Sequence, residues 1–358
     1  MSTSTIRGSA GSLVVRLGQP DASDPSAVGP KMARLTELRG WGASVPDAFC
    51  ITTQVFESFL KNHGLEPLLK QQESVWTDDD TDSLVKASQQ CQTAILAAGI
   101  EPATTQLIAD AYQSLCHLSG DPFLPVAVRS SATGEDAADS SFAGQYDSLL
   151  NVTGPDALID AVRRVWASLF SDRALRYRRQ VGRTFVTSPM AVIVMPMVAA
   201  RCAGVAFSAD PVTGKRDRIV IETCWGYGEA VVQGLTVPDR IIVDKEDHRI
   251  LDYVIGSKEI YSQLDPRSHS ILETKTPPEL RSEACLTPED VLLIGKTVSE
   301  LERQAAQAID TEWVLSNDNA LVFVQLRPVT SLAPDPSDTP EPHPVRAAGR
   351  WRRKTTKR

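Results

Sequence analysis

Five side chains, Lys31, Arg129, Glu312, Gln325 and Arg327, have the types and settings to handle a phosphorylated ligand. Arg129 follows Val126-Ala127-Val128, an apolar run that reads as the end of a strand. It opens a segment dense in Ser130, Ser131, Thr133, Gly134, Ser140, Ser141 and Gly144. Glycines admit main-chain N–H groups close to an anion, hydroxyls add donors, and a guanidinium offers a fixed fork to phosphate oxygens. The expected ligand is a polyphosphate. A polar loop whose Arg129 pairs with Glu135 or Asp136 accounts for the same residues.

Lys31 stands in the first turn of a helix begun by Gly29-Pro30, where free N–H groups and the positive end of the helix dipole favour an anion. The alternative is a solvated surface lysine. Near the other end of the sequence, strands over 311–315 and 320–326 flank the turn Ser316-Asn317-Asp318-Asn319 and predict a hairpin. On it Glu312 and Gln325 face one another, with Arg327 two residues beyond Gln325 on the same side. A carboxylate and an amide oxygen are hard ligands suited to Mg²⁺. A cross-strand Arg327–Glu312 ion pair is the competing explanation.

The elements that must hold these groups follow from periodicity. Met32, Leu35 and Leu38 form the buried face of the Lys31 helix, Gly40 and Gly42 stop it, and 45–53 returns as a strand. Residues 54–120 read as a helical packing layer without chemistry. Residues 155–181 read as another helix, whose Arg173, Arg176, Arg178 and Arg179 form a cationic, solvated end. The second half is richer in strands: MAVIVMPMVAA is a continuous apolar run crossed by Pro196, GVAFSADPVTG a strand leading into a turn, RIVIETCWGYGEAVVQG a strand ending at Glu222 before a glycine turn, and DRIIVD one more strand. Gly226-Tyr227-Gly228 lacks the third glycine of a dinucleotide fingerprint, and Gly295-Lys296-Thr297 lies in a helical pattern with Asp290 where a P-loop needs glycine, so neither motif is adopted.

The 358 residues are too many for one ordinary core. Acidic residues outnumber basic ones, 45 to 37, for a net charge of −8, which argues against a nucleic-acid surface. The six cysteines are scattered without a CxxC pair, favouring reduced core thiols over zinc or disulfides. No signal peptide opens the sequence and the most apolar run, 189–200, is too short to span a bilayer, so a cytoplasmic protein without membrane contact is expected. Residues 333–358 are Pro-rich and then basic, the composition of a disordered tail.

GPKMARLTEL, VAVRSSATGEDAADSSFAGQYDSLLNV, GVAFSADPVTG, WGYGEAVVQG and TEWVL with VFVQLRPVT occur in this order. Together they resemble the nucleotide-binding module of the phosphoenolpyruvate synthase and pyruvate phosphate dikinase family, over residues 29–332. The resemblance implies an α+β ATP-grasp fold in which two lobes hold ATP. Residues 1–27 would be a lead-in, 28–197 the N-terminal lobe with its helical layer, and 198–332 the C-terminal lobe. It also implies Lys31 and Arg129 as phosphate-binding cations, Thr133 and Gly134 in the loop over the phosphates, and Met195, Met197 and Val198 beside the adenine. Glu312 and Gln325 would be the Mg²⁺ ligands, and Arg327 the contact to the transferred phosphoryl group. Pro30 stands where the family often has Gly, and Met195 where it often has Gln.

Complete family members carry the phosphoryl group on a histidine of a further domain. His63, His117, His248, His269 and His343 lie in no Gly/Ser-rich setting like that loop. The expectation is therefore an ATP-binding subunit that phosphorylates a histidine on a separately encoded partner, giving AMP and phosphate. In this it resembles the subunits of phenylphosphate synthase and 4-methylbenzyl phosphate synthase, whose acceptors are phenol and p-cresol. The alternatives are half of a split phosphoenolpyruvate synthase acting on pyruvate, or a non-catalytic nucleotide sensor.

Overall fold

The computed structural model describes residues 12–75, 80–134, 145–185, 188–265, 270–329 and 332. The tail over 333–358 and most of the Ser/Gly segment after Gly134 lie outside them. In chain order the elements begin with β1 (Val14–Arg16), a 3-10 turn (Pro20–Ser23), α1 (Pro25–Gly40), β2 (Phe49–Ile51), α2 (Thr53–Asn62), α3 (Glu66–Val75), α4 (Thr81–Ala97) and α5 (Pro102–Ser119). There follow β3 (Val126–Ala132), β4 (Ser148–Val152), α6 (Pro155–Ser168), α7 (Asp172–Gln180), β5 (Met190–Pro196), β6 (Ala200–Phe207), β7 (Arg218–Trp225) and α8 (Glu229–Val232). The remainder is β8 (Asp239–Asp244), β9 (Ile250–Val254), β10 (Ile260–Leu264), β11 (Ile271–Lys275), α9 (Pro278–Arg281), α10 (Pro288–Ala305), β12 (Ile309–Ser316) and β13 (Leu321–Pro328).

Two antiparallel sheets organise these elements, one of order β1-β2-β5-β3-β4 and one of order β13-β12-β6-β7-β8-β9. The uninterrupted apolar run of β5 is explained by burial on both faces. Met190, Val192 and Val194 point into a core shared with α2, α4, α5 and α6, whereas Ala191, Ile193 and Met195 point into the other core with α1. Strand β3 follows the same alternation. Val126 and Val128 join the helical core while Ala127 joins the second one, so Arg129, next in that phase, is turned away from the helices.

In the second sheet, Ile219, Ile221, Ile241 and Val243 pack with Val291, Ile294, Val298 and Leu301 of α10. A capping box between Thr287 and Asp290 starts that helix. Gly295-Lys296-Thr297 lies inside α10, and Gly295 rests on Val243, so the P-loop-like tripeptide is a helix–sheet contact.

Helix α1 touches β3 and β5 of one sheet and β13 of the other, placing Lys31 where the sheets approach. Its first turn is capped by Asp24, which accepts from the Ser26 N–H. The helix therefore starts at Pro25, ahead of the expected Gly29-Pro30, and breaks at Gly29 (φ 70°, ψ 167°) before resuming at Pro30. A Cβ at Gly29 would overlap the Ser131 carbonyl and hydroxyl, so glycine is what lets this turn sit on β3.

Other expectations are corrected. The strand expected over 45–53 is only Phe49–Ile51, and β7 continues past Glu222 to Trp225. The helix expected over 155–181 is two, because Ser171 caps a new helix by accepting from the Ala174 N–H. Arg178 is not solvated. Its side chain is buried, donates to Glu73 Oε1 from Nε (3.1 Å) and Nη2 (3.0 Å), and also donates to the Leu169 carbonyl. The six cysteines are all free and buried, as expected. Among the described residues no helix is long and apolar enough to cross a membrane.

Candidate functional site

A cleft of about 700 Å³ lies between the sheets. Arg129, Leu149 and Met195 line it from the first sheet and Gly204, Glu312 and Val324 from the second, while the segment bearing Tyr227 and Glu229 forms a further wall. The charged groups carried by strands are delivered by strand alternation or register. Asp310 pairs with Arg327 and Glu312 with Gln325 across the β12–β13 ladder, as the hairpin pattern predicts. A bulge between Glu312 and Trp313 ends that register.

Arg129 crosses the cleft. Its Nη2 donates to Glu312 Oε2 (2.9 Å) and Gln325 Oε1 (2.7 Å), and its Nη1 donates to the Val324 carbonyl (3.0 Å). Glu135 and Asp136, the alternative partners, lie outside the described residues. Arg327 donates from Nε to Asp310 Oδ2 (2.6 Å) and holds Nη2 3.7 Å from Glu312 Oε1, so the cross-strand ion pair exists and Asp310 is its closer member. Lys31 Nζ donates to Ser130 Oγ at 3.4 Å, which places the helix cation at the strand that carries Arg129.

These cations decide the charge of Glu312. Burial alone would raise its pKa, but Arg129 and Arg327, with Lys31 adding, hold the carboxyl below the usual carboxylate value. Glu229 shows the opposite balance. Burial raises it, Glu312 and Glu273 push the same way, and Arg129 opposes them.

Thr133 and Gly134 follow β3. The Thr133 N–H donates to the Pro189 carbonyl (3.1 Å) and the Gly134 carbonyl accepts from Arg183 Nη1 (3.3 Å), which ties the start of the Ser/Gly segment to the residues before β5. Met195, Met197 and Val198 line the cleft where β5 leaves the first sheet. The Met197 N–H is used by the Pro125 carbonyl (2.8 Å). None of the described histidines lines the cleft. His63 Nε2 meets the Gly99 carbonyl (2.7 Å), His248 Nε2 meets Ser299 Oγ (3.1 Å), and His117 sits in the last turn of α5. Burial pushes the Cys91 and Cys202 thiols up to about 12, away from the reactive thiolate form.

Sequence reasoning missed Asp310 and Glu229. Asp310 was detectable as the residue two before Glu312 on the same strand face. Glu229 follows a glycine pair set aside for its weak dinucleotide likeness, and nothing local showed that its side chain meets the cleft.

The donor set fits a hard divalent cation. Glu312 Oε2 and Gln325 Oε1 come from facing positions and converge on a single nitrogen of Arg129, so both already point at one cationic position. Among the described residues no three His, Cys, Asp or Glu side chains gather as a metal cluster. Two protein oxygens are what Mg²⁺ takes when a polyphosphate and water complete its shell.

A cleft between two sheets, in which Arg129 of one sheet meets Glu312 and Gln325 of the other, marks an α+β protein with a charged inter-sheet site. The chain belongs to the family described as pyruvate phosphate dikinase, AMP/ATP-binding domain, whose model matches residues 25–344. It is 35% identical over 317 residues to the probable phosphoenolpyruvate synthase of Methanothermobacter thermautotrophicus, a match covering 88% of this chain and 46% of that protein. It is 36% identical over 321 residues to the prodigiosin synthesizing transferase PigC of Serratia marcescens, covering 90% of this chain and 33% of PigC. The chain thus spans less than half the length of these relatives. Among solved structures, D-alanyl-alanine synthetase A of Vibrio cholerae is a distant likeness, with 10% identity, a TM-score of 0.34, and 89% and 60% of the two chains covered.

Proposed function

We propose that this chain binds Mg·ATP in the cleft and uses it to phosphorylate a histidine supplied by another domain or subunit, releasing AMP and phosphate. The observation that carries this is the Arg129 bridge to Glu312 and Gln325, which brings a phosphate-fitting cation and a pair of metal-fitting oxygens to one point between the sheets. Lys31 and Arg129 bind the phosphates, and Arg327, oriented by Asp310, faces the group being transferred. Glu312 and Gln325 would hold Mg²⁺, which when bound neutralises and orients the triphosphate. Arg129 has two tasks. Without nucleotide it neutralises the Glu312 carboxylate, and with nucleotide its fork turns to phosphate oxygens. Met195 and Val198 flank the base.

That the histidine comes from elsewhere is supported by its absence from the cleft among the described residues. The acceptor beyond the histidine is not read from this module, since relatives named for phosphoenolpyruvate and for prodigiosin match much the same residues. A phenol is the first choice of acceptor and pyruvate the second. A purely sensing role fits less well because Lys31, Arg129, Glu312, Gln325 and Arg327 are all present.

Calorimetric titration with ATP, with and without Mg²⁺, tests the cleft. Binding that strengthens with Mg²⁺ and is lost in Arg129→Ala is expected. Binding indifferent to both would remove the assignment.

A further inference from the structure

Arg173, expected on a solvated helix end, stands in the wall of the cleft. It lies in the first turn of α7 and shares that wall with Tyr146, Asp147 and Ser148, where β4 forms the edge of the first sheet. Its Nε donates to the Gln145 carbonyl (3.1 Å) and its Nη2 to Asp147 Oδ1 (3.2 Å). The two side chains of this ion pair are 51% and 57% exposed, so solvent screens it and it contributes little to the fold. The helix gains nothing from an arginine there either, because the positive end of its dipole disfavours a cation in the first turn. A cation that serves neither the helix nor the core, and that faces a cleft, is free to serve a ligand.

Strand register shows which part of the ligand that is. Arg129 pairs with Ser148 across β3 and β4, so Asp147, one residue earlier, continues the antiparallel ladder to the level of Ser130, whose hydroxyl accepts from Lys31. Met195 pairs with Ala127, two residues to the other side of Arg129. In the proposed pose the base lies against Met195 and the phosphates against Arg129 and Lys31. The triphosphate therefore runs from the base toward the end of the cleft that Arg173 borders, one strand outward from Arg129. Phosphate oxygens match the guanidinium fork and carry more charge than the exposed carboxylate that now holds it.

Resting on the nucleotide reading of the cleft, we propose that Arg173 and Asp147 form an exchangeable clamp for the outermost phosphate of ATP. Asp147 holds the guanidinium while no nucleotide is bound and competes with ATP for it. It takes the guanidinium back when the nucleotide is AMP, whose single phosphate ends short of that position. The clamp makes the site favour the triphosphate and lets AMP leave.

The probes are ATP and AMP, each titrated calorimetrically with Mg²⁺ into the full chain, with melting temperatures measured alongside. Arg173→Ala should weaken ATP binding about tenfold, the scale of one lost charge-assisted hydrogen bond, and leave AMP binding unchanged. Arg173→Lys should recover part of that loss, and it shows whether charge carries the effect if the alanine variant does not fold. Asp147→Asn should tighten ATP binding about threefold, the scale of a released surface ion pair, and this gain should vanish in the Arg173→Ala/Asp147→Asn double variant. Undiminished ATP affinity in Arg173→Ala, equal losses for ATP and AMP, or a missing or Arg173-independent gain from Asp147→Asn would overturn the clamp while leaving the cleft a nucleotide site. Failure of the wild type to bind ATP would overturn the nucleotide reading and this inference with it.

Discussion

Arg129 and Glu312, separated by 183 positions in sequence, meet at 2.9 Å across the cleft between the two sheets. The pair is mostly buried, with side chains 16% and 13% exposed. Removing one partner leaves the other a less compensated buried charge, whereas a nucleotide and its cation would offer each a new partner. Substitutions here should therefore change ligand binding and unliganded stability together.

Glu312→Ala should abolish Mg-dependent ATP binding and turnover, because it removes the anionic ligand and leaves Arg129 and Arg327 with less to neutralise them. Gln325→Ala should weaken binding more mildly. Titration with ATP at several Mg²⁺ concentrations checks both, and near-normal turnover in the Glu312 variant would remove the metal assignment.

The pH dependence of stability should separate the two acids of the cleft. Glu312 is held below its unfolded value of 4.5, so its contribution is fully present above that pH and is lost as the pH falls through the depressed folded value. Glu229 is raised above 4.5, so it makes the unliganded protein less stable as the pH rises from 4.5 through the raised value. Glu229→Gln should flatten the second effect and leave the first. Melting temperatures measured across this range without nucleotide test the signs.

Gly29→Ala should destabilise the protein by roughly 1–3 kcal/mol from the backbone alone, since φ 70° with ψ 167° is a conformation open essentially to glycine. The overlap with Ser131 adds to this and shifts the turn bearing Lys31. Both a lower melting temperature and weaker ATP binding are expected. A variant as stable as the wild type would show that the turn tolerates another seat on β3.

Arg178→Ala should cost about 3–5 kcal/mol, because it strands Glu73, whose Oε1 also accepts from the Phe185 N–H (3.2 Å). The effect should appear in denaturant unfolding of the unliganded protein. A loss under 1 kcal/mol would mean that Glu73 rehydrates freely.

What was legible in the sequence was what local pattern encodes. The 3.6-residue spacing of Met32, Leu35 and Leu38 gave the helix under Lys31, and the turn between two apolar strands gave the register that sets Glu312 opposite Gln325. Strand limits such as 239–244 came from composition alone. Partnerships across long separations were not legible. Nothing near Arg178 indicates Glu73, 105 positions away, and nothing near Glu229 shows that its oxygen is buried against the cleft. A helix end rich in arginine looks solvated until a distant acid arrives to bury one of them.

The most direct test of the proposed function is to incubate the chain with Mg²⁺ and labelled ATP, with and without a phosphohistidine domain supplied in trans, and to separate the nucleotides chromatographically. The account predicts little turnover by the chain alone. With the histidine domain it predicts a phosphorylated histidine with AMP as the nucleotide product, sustained when pyruvate or a phenol accepts the group. Stoichiometric ADP in place of AMP, or acceptor phosphorylation by this chain without any added histidine domain, would contradict it.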